Sequence, residues 1–240
     1  MDKELERLIH THFKNKNENK KFEPGQTKIA LASPAYGAEE VVDALDSMLS
    51  TWVSMGNKVK KFEDEFSQYT NCNNGIMVNS GSSANLLALS VLTNSKIESP
   101  IEKNSSIITP AVTWATTVSP IVNVGCKPLF VDVDLDTFCV NPETIENAIN
   151  SDVSCIMPVH LMGNPCNMED IVKIKNKNDI YLVEDCCEAH GAKINGKSVG
   201  SFGDIGTYSF FMSHHITTIE GGMLVTNNDS LADMAKMLRA

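Results

Sequence analysis

At 240 residues, 42 % of them hydrophobic, and with a formal net charge of −10, the chain can bury a core of domain size and lacks the concentrated positive charge of a nucleic-acid surface. No stretch approaches the roughly 18 consecutive apolar residues of a membrane-spanning helix, and the opening MDKELERLIHTHF has no apolar leader core. A cytoplasmic protein acting on a small organic substrate is the expectation, with neither nucleic acid nor membrane as partner.

In chain order, residues 1–13 read as a short amphipathic helix and residues 14–21, KNKNENKK, as a polar link that buries nothing. An N-terminal unit over 1–28 followed by a folded body over 29–240 is expected. Helical patterns at 38–50, 58–69 and 83–92 then alternate with short apolar runs at 75–79, 106–109, 128–133, 155–159, 180–184, 205–209 and 223–226. Several of these runs are apolar throughout, as strands are when helices cover both faces of their sheet. The prediction is an α/β protein whose mostly parallel, seven-stranded sheet lies between helices, with functional groups just beyond the carboxyl ends of strands. The last helical pattern, SLADMAKMLRA, reaches Ala240 with no cap or terminator, so the chain is expected to continue into a C-terminal domain. Seven cysteines without CxxC spacing read as free thiols of a reducing compartment.

Three segments carry candidate chemistry. NSGSSANLLAL (79–89) runs from a strand end through small residues into an apolar helix. Gly81, Ser82 and Ser83 there suit an anion at a helix N-terminus, although a serine-rich cap is also ordinary helix punctuation. YLVEDCCEAHGA (181–192) delivers Glu184, Asp185 and Glu188 to a strand end, where Asp185 fits either a helix cap or the partner of a protonated pyridine nitrogen. GSFGDIGTYSFFMSHHITTIEGGMLVTN (200–227) sets two short strands around a polar turn holding Ser209, Ser213, His214 and His215. Vicinal histidines seldom converge on one metal, and no third ligand is placed by sequence, so no metal is expected. Gly221 and Gly222 are expected to serve backbone geometry, and His160 and His190 to be hydrogen-bonded structural residues.

Taken in order with TPAVTWATT (109–117), these segments resemble the DegT/DnrJ/EryC1/StrS sugar aminotransferase family of pyridoxal phosphate enzymes, from about residue 32 to the end. The resemblance implies the large domain of an aspartate aminotransferase-type fold, with pyridoxal or pyridoxamine 5'-phosphate as cofactor. It implies that Gly81, Ser82 and Ser209 hold the cofactor phosphate, that Trp114 stacks on the ring and that Asp185 pairs with the ring nitrogen. Glu188 stands where most of the family has glutamine. By likeness alone, Tyr36, Met55, Gly56 and Ser213 border a sugar site, and the enzyme is a homodimer.

One departure carries the functional reading. The family writes this block as SF, two residues, then Ser/Thr-Lys, whereas Ser213 is here followed by His214. An imidazole shuttles protons but does not hold the cofactor covalently as lysine does. The change resembles the nucleotide-sugar 3-dehydratases, which remove the C3 hydroxyl of a nucleotide-linked 4-keto-6-deoxy sugar and use glutamate to restore pyridoxamine phosphate. In that reading His214 is the catalytic acid–base, and the pathway is deoxysugar and surface-polysaccharide synthesis. The iron–sulfur-dependent CDP-4-keto-6-deoxyglucose 3-dehydrases also carry histidine there, and Cys187 falls near the place of their first cluster cysteine. An ordinary sugar aminotransferase is disfavoured because Lys60, Lys61 and Lys197 lie outside the SFxx(S/T) position. A non-catalytic ligand-binding relative is disfavoured by the retained Asp185, Ser209 and His214.

Overall fold

The computed structural model describes residues 1–18, 22–30 and 36–240, which divide into two compact units, Met1–Lys60 and Lys61–Ala240. Among the described residues no helix is long and apolar enough to cross a membrane.

In the first unit, α1 spans Lys3–Glu18 and α2 spans Ala38–Leu49. Helix α1 thus runs on into the segment expected to be a polar link, whose residues 19–21 lie outside the described residues. Nothing in KNKNE stops a helix, since it holds no Gly or Pro, and Glu4, Glu6 and Lys16 suit the dipole at its two ends. The Glu40 carboxylate accepts the Gly37 amide at 2.6 Å to start α2, and Lys58 bonds Asp43 at 2.8 Å. Helix α3, Asn57–Tyr69, follows and belongs to the second unit from Lys61 on.

The second unit alternates strand and helix: β1 (Asn74–Val78), α4 (Gly81–Leu92), β2 (Ser106–Pro110), α5 (Ala115–Asn123), β3 (Lys127–Val131), α6 (Pro142–Ala148), β4 (Val153–Ile156), α7 (Met168–Asn178) and β5 (Tyr181–Asp185). A hairpin of two-residue strands, β6 (Lys193–Ile194) and β7 (Lys197–Ser198), precedes β8 (Ile205–Ser209), β9 (Gly222–Thr226) and α8 (Asp229–Arg239). The seven long strands form one sheet in the order β1-β9-β8-β5-β4-β2-β3. Every pairing is parallel except those of β9, which is antiparallel to both β1 and β8.

Alternate residues of the strands feed cores on opposite faces, as the two-residue period of a strand requires. Ile107, Cys155, Val183 and Leu224 pack with α4, α5 and α8 through Leu89, Ile121 and Leu231. Their neighbours Ile108, Ile156 and Leu182 pack with α6 and α7 through Ile145, Ile171 and Ile174. On that second face, Met223 and Val225 of β9 join Phe66, Tyr208 and Phe210. Both faces are covered, which explains the uninterrupted apolar runs.

The odd strand brings the site together. Because β9 runs against both neighbours, Gly222 pairs with Val78 and with Ser209, so the ends of β1 and β8 and the start of β9 meet at one sheet edge. A side chain at Gly222 would come within 2.2 Å of the Ser80 carbonyl oxygen and one at Gly81 within 2.5 Å of the Ser209 Cβ. Neither glycine has a positive φ; close approach alone excludes a Cβ here.

Leu89 is fully buried in the core beneath α4. Leu89→Ala is expected to lower unfolding stability by about 2–5 kcal/mol in urea titrations, with little change in denaturant slope.

Candidate functional site

A cavity of about 390 Å³ opens at this sheet edge. Ser80, Gly81 and Ser82 border it from the β1–α4 turn, Thr113, Trp114 and Thr117 from the start of α5, and Asp185, Cys187 and Glu188 from the end of β5. Ser209, Phe211, Ser213, His214 and Glu220 complete it from β8 and the 210–221 loop. The structure therefore brings eight residues singled out in the sequence, Gly81, Ser82, Trp114, Asp185, Glu188, Ser209, Ser213 and His214, around one space. Tyr36, Met55 and Gly56 belong to the first unit. Tyr36 and Met55 are exposed, and Gly56 lies against the Trp52 indole.

Asp185 is 4 % exposed and lies on the cavity wall. Its Oδ2 accepts Asn85 Nδ2 at 2.9 Å and Thr117 Oγ1 at 2.8 Å, and its Oδ1 accepts the Cys187 amide at 3.2 Å. Thr113 donates in turn to Thr117 at 2.9 Å, and Thr207 donates to Asn85 Oδ1 at 2.6 Å. Strands β5 and β8 and helices α4 and α5 are all tied to this carboxylate. Among the described residues it has no cationic partner within ion-pair distance. A buried carboxylate facing a cavity with only neutral donors suits a cationic N–H arriving from a ligand. That observation, with the side-chain-free approach at Gly81, fits a pyridoxal-type cofactor.

Sequence reasoning missed Asn85, Thr117 and Thr207. Asn85 carried a readable signal, being a fully buried amide within the apolar run of α4, one helical turn after Gly81.

At the β1–α4 turn, Ser80 caps the helix by accepting the Ser83 amide at 3.1 Å, and the two hydroxyls lie 3.1 Å apart. Ser83 is thereby committed locally, while Ser82 remains exposed at the cavity. Trp114 is no core aromatic: it stands at the N-cap of α5 with 74 % of its surface exposed. Glu188 accepts the Met162 amide at 2.7 Å, clasping the short turn Leu161–Gly163, where Met162 takes a positive φ of 53°.

The 210–221 loop is pinned at its base by Phe210 N to Gly221 O at 2.8 Å and Thr218 N to Phe210 O at 3.0 Å. Ile219 adopts φ 72°, a costly conformation for a β-branched residue, just before the close approach at Gly221. Within the loop, His214 N bonds Phe211 O at 3.0 Å. Partial burial lowers the His214 pKa, His215 adds to this, and the carboxylates of Glu188 and Asp185 oppose it. His214 is therefore neutral and able to accept a proton at neutral pH.

His160 and Glu184 are wholly buried, and both His160 ring nitrogens are bonded, to Glu184 at 3.2 Å and to the Cys166 amide at 3.0 Å. Glu184 also accepts the amides of Gly200, Phe202 and Gly203 at 2.7–2.8 Å. His160, Glu184 and Cys186 are close enough together to hold a metal. The carboxylate is saturated by backbone donors and the His160 nitrogens are committed, so the cluster reads as a structural brace. All seven cysteines are free; Cys187 is half-buried against the β1–α4 turn, and burial raises its thiol well above the ordinary range.

His190 departs from expectation. Neither ring nitrogen makes a hydrogen bond of good geometry among the described residues; burial, aided by His214 and His215, pushes its pKa down from 6.5 to about 4, and the nearby Ser209 backbone opposes this only in part. Between those values the unfolded chain binds the extra proton. The stabilisation is complete above pH 6.5 and is lost as pH falls through 4. Urea titrations of the full-length protein should show roughly 2 kcal/mol of stability lost to this group between pH 7 and pH 5, and His190→Leu should flatten that part of the profile.

Compared with known proteins, residues 34–240 match the DegT/DnrJ/EryC1/StrS aminotransferase family. GDP-4-keto-6-deoxy-D-mannose 3-dehydratase of Yersinia pseudotuberculosis is 37 % identical over 211 residues, covering 88 % of this chain and 53 % of that protein. GDP-perosamine synthase of Escherichia coli O157:H7 is 41 % identical over 206 residues, covering 85 % and 55 %. A crystal structure of GDP-4-keto-6-deoxymannose-3-dehydratase with a trapped PLP-glutamate geminal diamine superposes with a TM-score of 0.85 at 37 % identity, covering 89 % of this chain and 55 % of that one. The chain spans about half the length of the relatives it matches.

Proposed function

This chain belongs to the DegT/DnrJ/EryC1/StrS aminotransferase family, and from that premise we propose that it is the cofactor-binding part of a nucleotide-sugar 3-dehydratase. The observation that carries this reading is the side chain at the end of the Ser209–Ser213 run. Among the described residues no lysine lines the cavity, and by family likeness His214 takes the lysine position.

When bound, pyridoxamine phosphate supplies an amine for the sugar ketone and a cationic ring that draws electrons from the reacting carbon. Asp185 would hold the ring nitrogen, its orientation fixed by Asn85 and Thr117. Gly81, Ser82 and Ser209 would hold the phosphate: Gly81 admits close backbone approach, and the two hydroxyls donate. Trp114, exposed over the cavity, would cover the ring face, and Glu188 would border its other substituents. With no lysine of the described residues in the cavity, retention of the cofactor would rest on these contacts.

His214 accepts and returns protons, which its lowered pKa permits near neutrality. The C3 hydroxyl of a 4-keto-6-deoxy sugar would leave as water and a hydrogen would take its place, giving a 3-deoxy-4-keto sugar. The two electrons would come from the cofactor's amine-bearing carbon, whose nitrogen departs as ammonia; glutamate, becoming 2-oxoglutarate, would then restore the amine. Support for glutamate and for a GDP-linked sugar comes from the names of the similar proteins. Tyr36, Met55, Gly56 and Ser213 are proposed for the sugar side, completed by a C-terminal domain and a second subunit of a homodimer in the full-length enzyme.

The full-length protein, given pyridoxamine phosphate, GDP-4-keto-6-deoxymannose and glutamate, is expected to yield a 3-deoxy-4-keto sugar by mass spectrometry without an added reductase. His214→Asn should slow this at least about 100-fold. A stable 4-amino sugar from the unmodified protein would overturn the dehydratase reading in favour of aminotransfer, and a requirement for an added reductase would favour iron–sulfur chemistry.

A further inference from the structure

His190 lies in the turn segment that follows β5, next to Gly191, and its ring is flanked by two kinds of neighbour. On one side are Phe66, Tyr208 and Phe210, with ring centroids at 6.3, 5.5 and 5.6 Å. On the other are His214 and His215, at 6.1 and 5.9 Å. A neutral imidazole carries one N–H and one lone-pair nitrogen. Both are sealed from solvent here: the Ser209 backbone is the one group that bears on the ring, without a bond of good geometry, and a backbone carbonyl can take the N–H but leaves the lone-pair nitrogen without a partner among the described residues. Packing alone does not account for that choice of side chain. A phenyl or isobutyl group would satisfy the aromatic neighbours without leaving polar atoms unpaired.

We propose that His190 is a positioning residue, a half-buried neutral imidazole with sealed ring nitrogens that accepts a hydrogen bond from His214 when His214 carries the proton. The inference rests on the reading of His214 as the acid–base group. The centroid separation of 6.1 Å is roughly 1 Å longer than in a direct bond between two imidazoles, a gap that a small rotation of His214 on protonation would close. His190 is suited to the part because it remains unprotonated down to about pH 4, leaving its lone pair free where His214 titrates.

Among the surrounding titratable groups, the Tyr208 hydroxyl is committed to the Val199 carbonyl, and the Tyr69 hydroxyl lies against Gly191. Buried Cys186 shares the same cluster, and burial holds its thiol protonated. Glu188 and Asp185 act on His214, and His215 acts on both imidazoles. Of the groups whose rings face His190, His214 is the one that lines the cavity, which makes it the donor that changes charge during turnover.

The test is the proton NMR titration of the His214 Cε1–H in the full-length, cofactor-free protein, assigned by its loss in His214→Asn. Removing the acceptor in His190→Phe or His190→Leu should make His214 bind its proton about tenfold more weakly, a midpoint lower by about one pH unit. His190→Gln, whose amide oxygen still accepts, should recover most of that loss. An unchanged or raised midpoint in whichever apolar variant folds would overturn the proposal and leave His190 as packing. The resonance is read without substrate, so this outcome is independent of whether the product is a deoxy or an amino sugar.

Discussion

The site is organised by the need to satisfy one buried carboxylate. Asp185 ends β5 almost out of reach of solvent, and three neutral donors hold it: an amide from α4, a hydroxyl from α5 and the backbone of Cys187. An uncompensated charge at that depth costs several kcal/mol, and neutral hydrogen bonds recover only part of it. The helices that supply those donors also supply the edge of the cavity, Gly81 and Ser82 at the start of α4 and Trp114 at the start of α5. Anchoring the carboxylate and shaping the cavity are therefore one structural task. A cationic ring nitrogen would complete the electrostatics of this arrangement, which ties the proposed cofactor to the fold itself.

The 210–221 loop determines what such a ring could be used for. The chain enters it from β8, turns through Ile219 in a strained conformation and leaves by two glycines whose neighbours tolerate no side chain. Such tight termini fix where His214 stands. Lysine at that point would grip a cofactor covalently. Histidine leaves it held by hydrogen bonds and stacking, and its partly buried imidazole responds to Glu188, Asp185 and His215. In the proposed reading the same exchange would remove the covalent bond and keep the proton transfer, so that the family resemblance and the departure from it point to different reactions on one scaffold.

Much of this was legible in the chain. Each of the seven long strands falls within a few residues of an apolar run, because both sheet faces are covered and every strand residue is under pressure to be apolar. The β6–β7 hairpin was not legible, since strands of two residues carry no periodicity. The reversed direction of β9 was also hidden: alternation does not encode strand direction, and Gly221–Gly222 signalled close approach without saying to what. Among site residues, those at strand ends could be read from position, whereas Thr117 and Thr207 lie in ordinary-looking helix and strand sequence and gain meaning only from the carboxylate beside them. His190 was read as a hydrogen-bonded structural histidine, whereas its ring makes no hydrogen bond of good geometry among the described residues and only the Ser209 backbone bears on it.

The central claim is that this cavity holds a pyridoxal-type cofactor without a covalent bond to the chain. Borohydride reduction of the full-length protein saturated with pyridoxal phosphate, followed by intact-mass and peptide mass spectrometry, addresses it directly. The account predicts bound cofactor by absorbance but no reduced adduct on any lysine of residues 61–240. A stoichiometric lysyl adduct in that span would contradict it.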